Sequence, residues 1–257
     1  MDYFDKAETW DRATLETVQL ARLKTTIQQA SRAPFYAKRL AEAGVSADNL
    51  RSLEDIRRIP FTSKDDLRSQ YPYGLATVPH SEFVRMHCSS GTTGTPVAVC
   101  YTQSDINSWA DLMARSLYMA GVRKDDVFQN MSGYGLFTGG LGIHFGAERL
   151  GCMTIPAGAG NSKRQLKLVK DFGTTVAHIL PSYALHLGTT LIEEGEDPKA
   201  LSLRIACVGA EPYTEETRRR IEALFDMKVY NSYGLSEMNG PGVAFECQYQ
   251  NGLHLWE

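Results

Sequence analysis

The segments Val176-Ala177-His178-Ile179-Leu180-Pro181, Ser182–Glu194 and Arg204-Ile205-Ala206-Cys207-Val208 read as strand, helix and strand. Strands separated by helices point to parallel βαβ units, because parallel neighbours need a long crossover. The alternation continues in both directions. Strand segments lie at Phe83–Cys88, Val97–Tyr101, Val127–Met131 and Cys152–Pro156, and helices at Gln103–Ala120, Thr138–Leu150 and Lys163–Phe172. Downstream, helix Thr214–Phe225 begins at Thr214 and Thr217 behind Pro212 and leads to strand Lys228–Asn231. The last segment, Val243–Glu257, predicts two strands around Asn251-Gly252, a favoured hairpin pair.

The first 80 or so residues are helical in pattern. Leu15, Val18, Leu20, Leu23 and Ile27 fall roughly on one helix face, and Ala33-Pro34 breaks that helix. A second helix, Phe35 to Ala43, is closed by Gly44. A third opens at Ser63, an N-cap candidate followed by Asp65 and Asp66 in the first turn, where the helix dipole favours acids. The expected organisation is a helical segment over residues 1–82 and an α/β region over 83–257, with parallel sheets flanked by helices.

Bulk properties narrow the function classes. The 257 residues carry a formal charge of −3, which gives no electrostatic reason to expect a nucleic-acid or anionic-membrane partner. The densest basic run, Arg218-Arg219-Arg220, lies in a helical pattern and reads as a solvated face. Five scattered cysteines without a CxxC pair predict reduced thiols, as in a cytoplasmic protein. The acidic, polar N-terminus has no apolar core of a signal peptide, and no stretch approaches the roughly 18 apolar residues of a membrane span.

The strongest chemical signal is Ser89-Ser90-Gly91-Thr92-Thr93-Gly94-Thr95-Pro96 between two strands. Glycines permit positive φ and let backbone N–H groups approach an anion, and hydroxyls can donate to phosphate oxygens. The lysine and spacing of a Walker A loop are absent. An ordinary flexible loop has the same composition. Two further segments follow strands: Gly209-Ala210-Glu211-Pro212 and Asn231-Ser232-Tyr233-Gly234-Leu235-Ser236-Glu237. In the second, the Tyr233 ring can stack on a base, Asn231 offers both donor and acceptor, and Glu237 is a hard oxygen ligand suited to Mg²⁺. A tight turn with Tyr233 in the core and Glu237 on the surface is the plain alternative.

These three segments, in this order, resemble the phosphate loop, adenine-site wall and N-x-Y-G-x-[ST]-E motif of the adenylate-forming superfamily. The runs Tyr134–Gly142 and His144–Gly151, with the helical start and Ile59–Lys64, resemble the phenylacetate–CoA ligase group within it. The resemblance covers essentially the whole chain. It implies ATP, Mg²⁺ and CoA as reactants and cofactor, and a two-step reaction through acyl-AMP to acyl-CoA. It implies phosphate binding by Ser89–Thr95 and nucleotide binding by Gly209, Ala210, Glu211, Pro212, Asn231, Ser232, Tyr233 and Gly234. Ser236 is implied to donate to the α-phosphate and Glu237 to hold Mg²⁺. It places Tyr134, Phe137, Gly139 and Gly140 near the carboxylate substrate. Phe137 as core, and glycines as close packing, is the competing reading of that last set.

Two positions depart from the group. Many such loops carry a lysine near their end, where this chain has Thr95 and Val97 around Pro96; and the group often has an aromatic residue where Ser132 stands, which implies a wider pocket or another acid. The family's ribose-binding aspartate, hinge and catalytic lysine lie beyond Glu257, so the chain is expected to lack the C-terminal domain and to have little or no activity alone. Adenylation without CoA transfer, and a non-enzymatic nucleotide-binding module, are the rival expectations. A homodimer is a family-level expectation. Cys247 and His254 flank the Asn251-Gly252 turn and could share a Zn²⁺, or be an incidental pair.

Overall fold

The computed structural model describes residues 3–89 and 94–256. The chain forms two compact units, one spanning Asp5–Asp105 and one spanning Ile106–Trp256 together with residues 3–4.

In the first unit, α1 (Arg12–Ala30) starts where Asp11 accepts from the Thr14 N–H at 2.8 Å. Helix α2 (Pro34–Glu42) begins on Pro34, where a missing N–H costs nothing. Helix α3 (Lys64–Ser69) is closed by a reciprocal cap. Ser63 Oγ accepts from Asp66 N, and Asp66 accepts from Ser63 N at 2.8 Å. Leu20, Leu23 and Ile27 of the expected stripe face a small core with Leu40, Val45 and Leu50. Strands β1 (Phe83–Cys88) and β2 (Ala98–Thr102) pair antiparallel, with Cys88 opposite Ala98.

The second unit is the α/β layer structure. After α4 (Gln103–Met119) come β3 (Val127–Asn130), α5 (Thr138–Leu150), β4 (Met153–Ile155), α6 (Ser162–Phe172), β5 (Val176–Ile179) and α7 (Pro181–Glu193). Then follow β6 (Ile205–Gly209), α8 (Glu215–Phe225), β7 (Lys228–Leu235), β8 (Gly240–Glu246) and β9 (Leu253–Leu255). The sheet order is β4-β3-β5-β6-β7-β8-β9, parallel through β7 and antiparallel beyond it. Right-handed crossovers put α5 on one face and α6, α7 and α8 on the other, since the chain steps in opposite directions from β3 and β4. Leu166, Val169, Leu187, Leu191, Ile221 and Phe225 from those three helices meet Ala177, Ile179, Val208 and Val229 of the sheet in one core.

On the opposite face, packing depends on missing side chains. A Cβ at Gly142 would collide with the Trp109 ring, and one at Gly146 with Met113, so α5 lies close against α4. The Trp109 indole N–H donates to the Pro241 carbonyl at 2.9 Å and ties α4 to β8.

Two expectations change in detail. The terminal hairpin forms, but residues 247–252 make a wider loop than a two-residue Asn-Gly turn, with Gln250 N donating to Cys247 O and Gln250 itself at φ 51°. The basic run of α8 is not wholly a solvated face. Arg219 and Arg220 are exposed, whereas Arg218 is buried and grips Glu246 bidentately at 2.9 and 2.7 Å. Position 218 faces the sheet, and the buried carboxylate of β8 supplies the compensating charge; Glu246 also accepts from Asn231 N at 2.7 Å. Removing one member of a buried pair strands the other. Glu246→Ala is therefore expected to cost about 3 to 5 kcal/mol, read as a fall in the urea unfolding midpoint; an unchanged midpoint would show the pair to be energetically idle.

Candidate functional site

Strand β4 lies on one side of β3 and β5 on the other, so the chain reverses direction between β3 and β5. Open α/β sheets bind ligands at this switch point, outside the carboxyl ends of the strands. At that edge β3 ends in Asn130 and leads to Ser132, Gly133 and Tyr134, and Asn130 sits opposite His178 of β5.

The Asn130 amide organises the edge. Its Nδ2 donates to the Gly140 carbonyl at 2.7 Å and to the Tyr134 hydroxyl at 2.9 Å. Its Oδ1 accepts from Ser132 N at 3.2 Å. Backbone partners at both ends fix which atom is nitrogen and which is oxygen, and the proton positions around the amide follow. The Tyr134 hydroxyl, which accepts from Asn130, also lies 3.0 Å from His144 Nδ1. His144 Nε2 in turn donates to the Glu148 carboxylate, which can only accept, at 3.0 Å. Burial, opposed by the Asn130 hydrogen bond, pushes the Tyr134 phenol up to about 12, so it stays protonated. On the other side, His178 Nδ1 lies 2.9 Å from Asn130 Oδ1 and must donate to it. Burial lowers the His178 imidazole to about 4, so it is neutral.

The loop after β3 packs on the first turn of α5. A Cβ at Gly140 would collide with the Gly133 carbonyl, so Gly140 is a close-packing glycine, whereas Gly139 borders open space. Phe137 precedes the helix and is 58% exposed, which removes the core reading of that side chain.

At the ends of β6 and β7 the backbone again comes close. Gly209 abuts the Ser232 carbonyl, and Ala210 adopts φ 66°, a left-handed conformation unusual for a residue with a Cβ. Glu211 Oε1 accepts from Ser182 N at 2.6 Å, placing a carboxylate at the positive end of α7. Strand β7 runs on to Leu235, so Asn231, Ser232, Tyr233 and Gly234 lie in a strand rather than a turn. Tyr233 is 47% exposed and not in the core. Ser236 and Glu237 sit in a short 3₁₀ turn, Ser236–Met238, both partly exposed.

In the Asp5–Asp105 unit, Ser89 N donates to the Val97 carbonyl and Val97 N to Ser89 Oγ, each at 2.9 Å. That clamp closes the base of the loop and uses the Ser89 hydroxyl as an acceptor. Gly94, at φ 135°, and Thr95 are exposed; Ser90, Gly91, Thr92 and Thr93 lie outside the described residues.

The Glu237 carboxylate is a hard oxygen donor of the type that suits Mg²⁺. Zinc fits less well. Among the described residues no three His, Cys, Asp or Glu side chains gather, so Cys247 and His254 stand as two donors where a structural zinc takes four. No helix among the described residues is long and apolar enough to cross a membrane. The polar chain from Glu148 through His144, Tyr134 and Asn130 to His178 was missed from sequence. Buried polar residues at the carboxyl ends of adjacent strands are its only local signal.

The sequence matches the family described as AMP-binding enzyme over residues 13–253. It is 48% identical over 98% of its length to a phenylacetate-coenzyme A ligase of Pseudomonas putida and 46% identical over 100% to that of Thermus thermophilus. It spans 58% of each of those relatives. Among solved structures, an open conformation of 2-hydroxyisobutyryl-CoA ligase in complex with 2-HIB-AMP and CoA superposes with a TM-score of 0.92 at 29% identity, over 100% of this chain and 58% of that one.

Folded His178 stays neutral down to about pH 4, whereas an unfolded imidazole takes up its proton near pH 6.5. The unfolded state binds more protons in that interval, so stability is expected to fall as pH drops from 6.5 to 4, by up to about 3 kcal/mol from this residue. Urea unfolding at stepped pH measures it, and His178→Leu should flatten that part of the profile. An equally steep profile in the variant would assign the loss to other groups.

Proposed function

This chain belongs to the AMP-binding enzyme family, and we propose that it forms the nucleotide- and acid-binding part of an AMP-forming acid–CoA ligase. The observation that carries the reading is the continuous similarity to phenylacetate-coenzyme A ligases across nearly every residue of the chain. A polar, pre-organised edge at the sheet's switch point agrees with it.

In this reading the acid's carboxylate attacks the α-phosphorus of ATP and displaces pyrophosphate, leaving acyl-AMP; the CoA thiol then attacks the acyl carbon and AMP leaves. Backbone N–H groups and hydroxyls of Ser89–Thr95 hold phosphate oxygens. The half-exposed Tyr233 ring stacks on adenine, with Asn231, Ser232 and Gly234 and the Gly209–Pro212 segment framing it. Ser236 donates to the α-phosphate. Glu237 holds Mg²⁺, which supplies positive charge to the triphosphate. Tyr134 serves the acid through its ring, because its hydroxyl is already committed to Asn130 and His144. Phe137 and Gly139 border the same pocket, and Gly140 holds its wall. The chemistry is mainly positioning and charge stabilisation. The scattered free thiols agree with a cytoplasmic setting.

Acid-dependent exchange of labelled pyrophosphate into ATP, measured on the native polypeptide that contains this chain, tests the reading. Exchange with at least one aryl or alkyl carboxylic acid is expected, and Glu237→Gln should lower its rate by about 100-fold or more. No exchange with any acid of a broad panel sinks the assignment.

A further inference from the structure

At the β3/β5 switch point, two polar side chains keep hydrogen-bonding capacity that no group among the described residues uses. His178 Nδ1 must be the protonated nitrogen, since Asn130 Oδ1 can only accept. Its neutral ring therefore carries a lone pair on Nε2. Among the described residues Nε2 has no hydrogen-bond partner, although His178 is only 8% exposed. Ser132 Oγ lies 3.0 Å from the same Nδ1–H. It can share that proton only as an acceptor, which leaves the serine O–H free to donate. Ser132 is likewise 8% exposed, and its remaining bond, from its own N–H to Asn130, does not involve the hydroxyl.

Although both residues are mostly buried, His178 Nε2 is not among the buried atoms that lack a partner, so the side-by-side donor and acceptor open to solvent and a ligand group can replace the water there. A hydroxyl group satisfies both, because it donates and accepts at one atom. A charged group suits the pair poorly. A carboxylate cannot satisfy the imidazole lone pair, and an ammonium cannot accept the serine proton. The pair is also contiguous with the acid-binding elements, because the same Asn130 amide holds the Tyr134 hydroxyl and the Gly140 carbonyl.

We propose that Ser132 and His178 form a hydroxyl-recognition subsite, so that the acid this protein activates carries a hydroxyl group that donates to His178 Nε2 and accepts from Ser132 Oγ. The inference rests on the acid–CoA ligase reading and narrows its substrate class. Asn130 is a positioning residue for this subsite, since it fixes the tautomer of His178 without touching the acid.

The test compares hydroxylated acids with methyl analogues of nearly equal size. On the native polypeptide, kcat/KM for pyrophosphate exchange is measured with 2-, 3- and 4-hydroxyphenylacetate against the three methylphenylacetates, and with 2-hydroxy-2-phenylacetate against 2-phenylpropionate. At least one hydroxylated acid should exceed its partner by about tenfold or more, since a site built to bond a hydroxyl leaves polar groups unpaired when it is missing. Ser132→Ala and His178→Leu should each bring that ratio towards one, whereas His178→Gln, which keeps an acceptor, should retain part of it. A purely structural role would lower both members of a pair alike and leave the ratio unmoved, which overturns the proposal. Good exchange with every ratio near one in the unmodified protein overturns it too, while leaving the ligase reading intact. Absence of exchange with every acid removes the ligase reading and this inference together.

Discussion

The carboxyl edge of the parallel sheet is held by one side-chain amide. At the end of β3 the main chain stays paired, Met131 N donating to the His178 carbonyl and Gly158 N to the Asn130 carbonyl, and the side chains beyond it are left to one another. Asn130 supplies two donors and an acceptor there, and spends them on the Gly140 carbonyl, the Tyr134 hydroxyl, the Ser132 N–H and the His178 ring. Because two of those partners are main chain, the amide has a single orientation. The proton that His178 shares with the amide is then assigned by elimination, to its Nδ1. The loss of this one residue would leave several buried groups without partners, each costing about 1 to 3 kcal/mol.

The sheet's other side has a comparable anchor. The buried Arg218–Glu246 pair joins α8 to β8, and Glu246 also receives the N–H of Asn231. The strand that carries the Asn231–Glu237 segment is thus tied at its start to a helix and to its antiparallel neighbour. Beyond that tie the strand continues outward, its pairing shifts at Tyr233/Gly234, and the Tyr233 ring is left half exposed. Rigid support followed by an exposed aromatic is an arrangement suited to receiving a planar ligand.

Much of the fold was legible in the sequence, because strand and helix periodicities are local. The alternation from Val127 to Asn231 predicted the parallel layer, and the caps at Ser63 and Thr214 predicted helix starts that the structure contains. The segments that resemble nucleotide-binding motifs were visible as residue strings at strand ends. Non-local features were not legible. Arg218 looked like part of a solvated basic run, because its burial depends on a carboxylate 28 positions away. The six-residue terminal loop was read as a tight Asn-Gly turn, because pairing of Phe245 with His254 sets its length, not the dipeptide. Ser132 stood out in the sequence and His178 read as a strand residue, because their contact spans 46 positions and depends on strand order.

The glycine seam between α4 and α5 has a consequence for how such a pocket can change. With Gly142 against Trp109 and Gly146 against Met113, α5 has no slack to slide away from α4, and any side chain added along the seam would pry the layer apart. The wall formed by its first turn is thus of fixed position. Room for a bulkier or smaller ligand must come from exchanging side chains at the strand tips facing that wall. Variation among relatives of this architecture should accordingly concentrate at a few tip positions, while the helix behind them stays where it is.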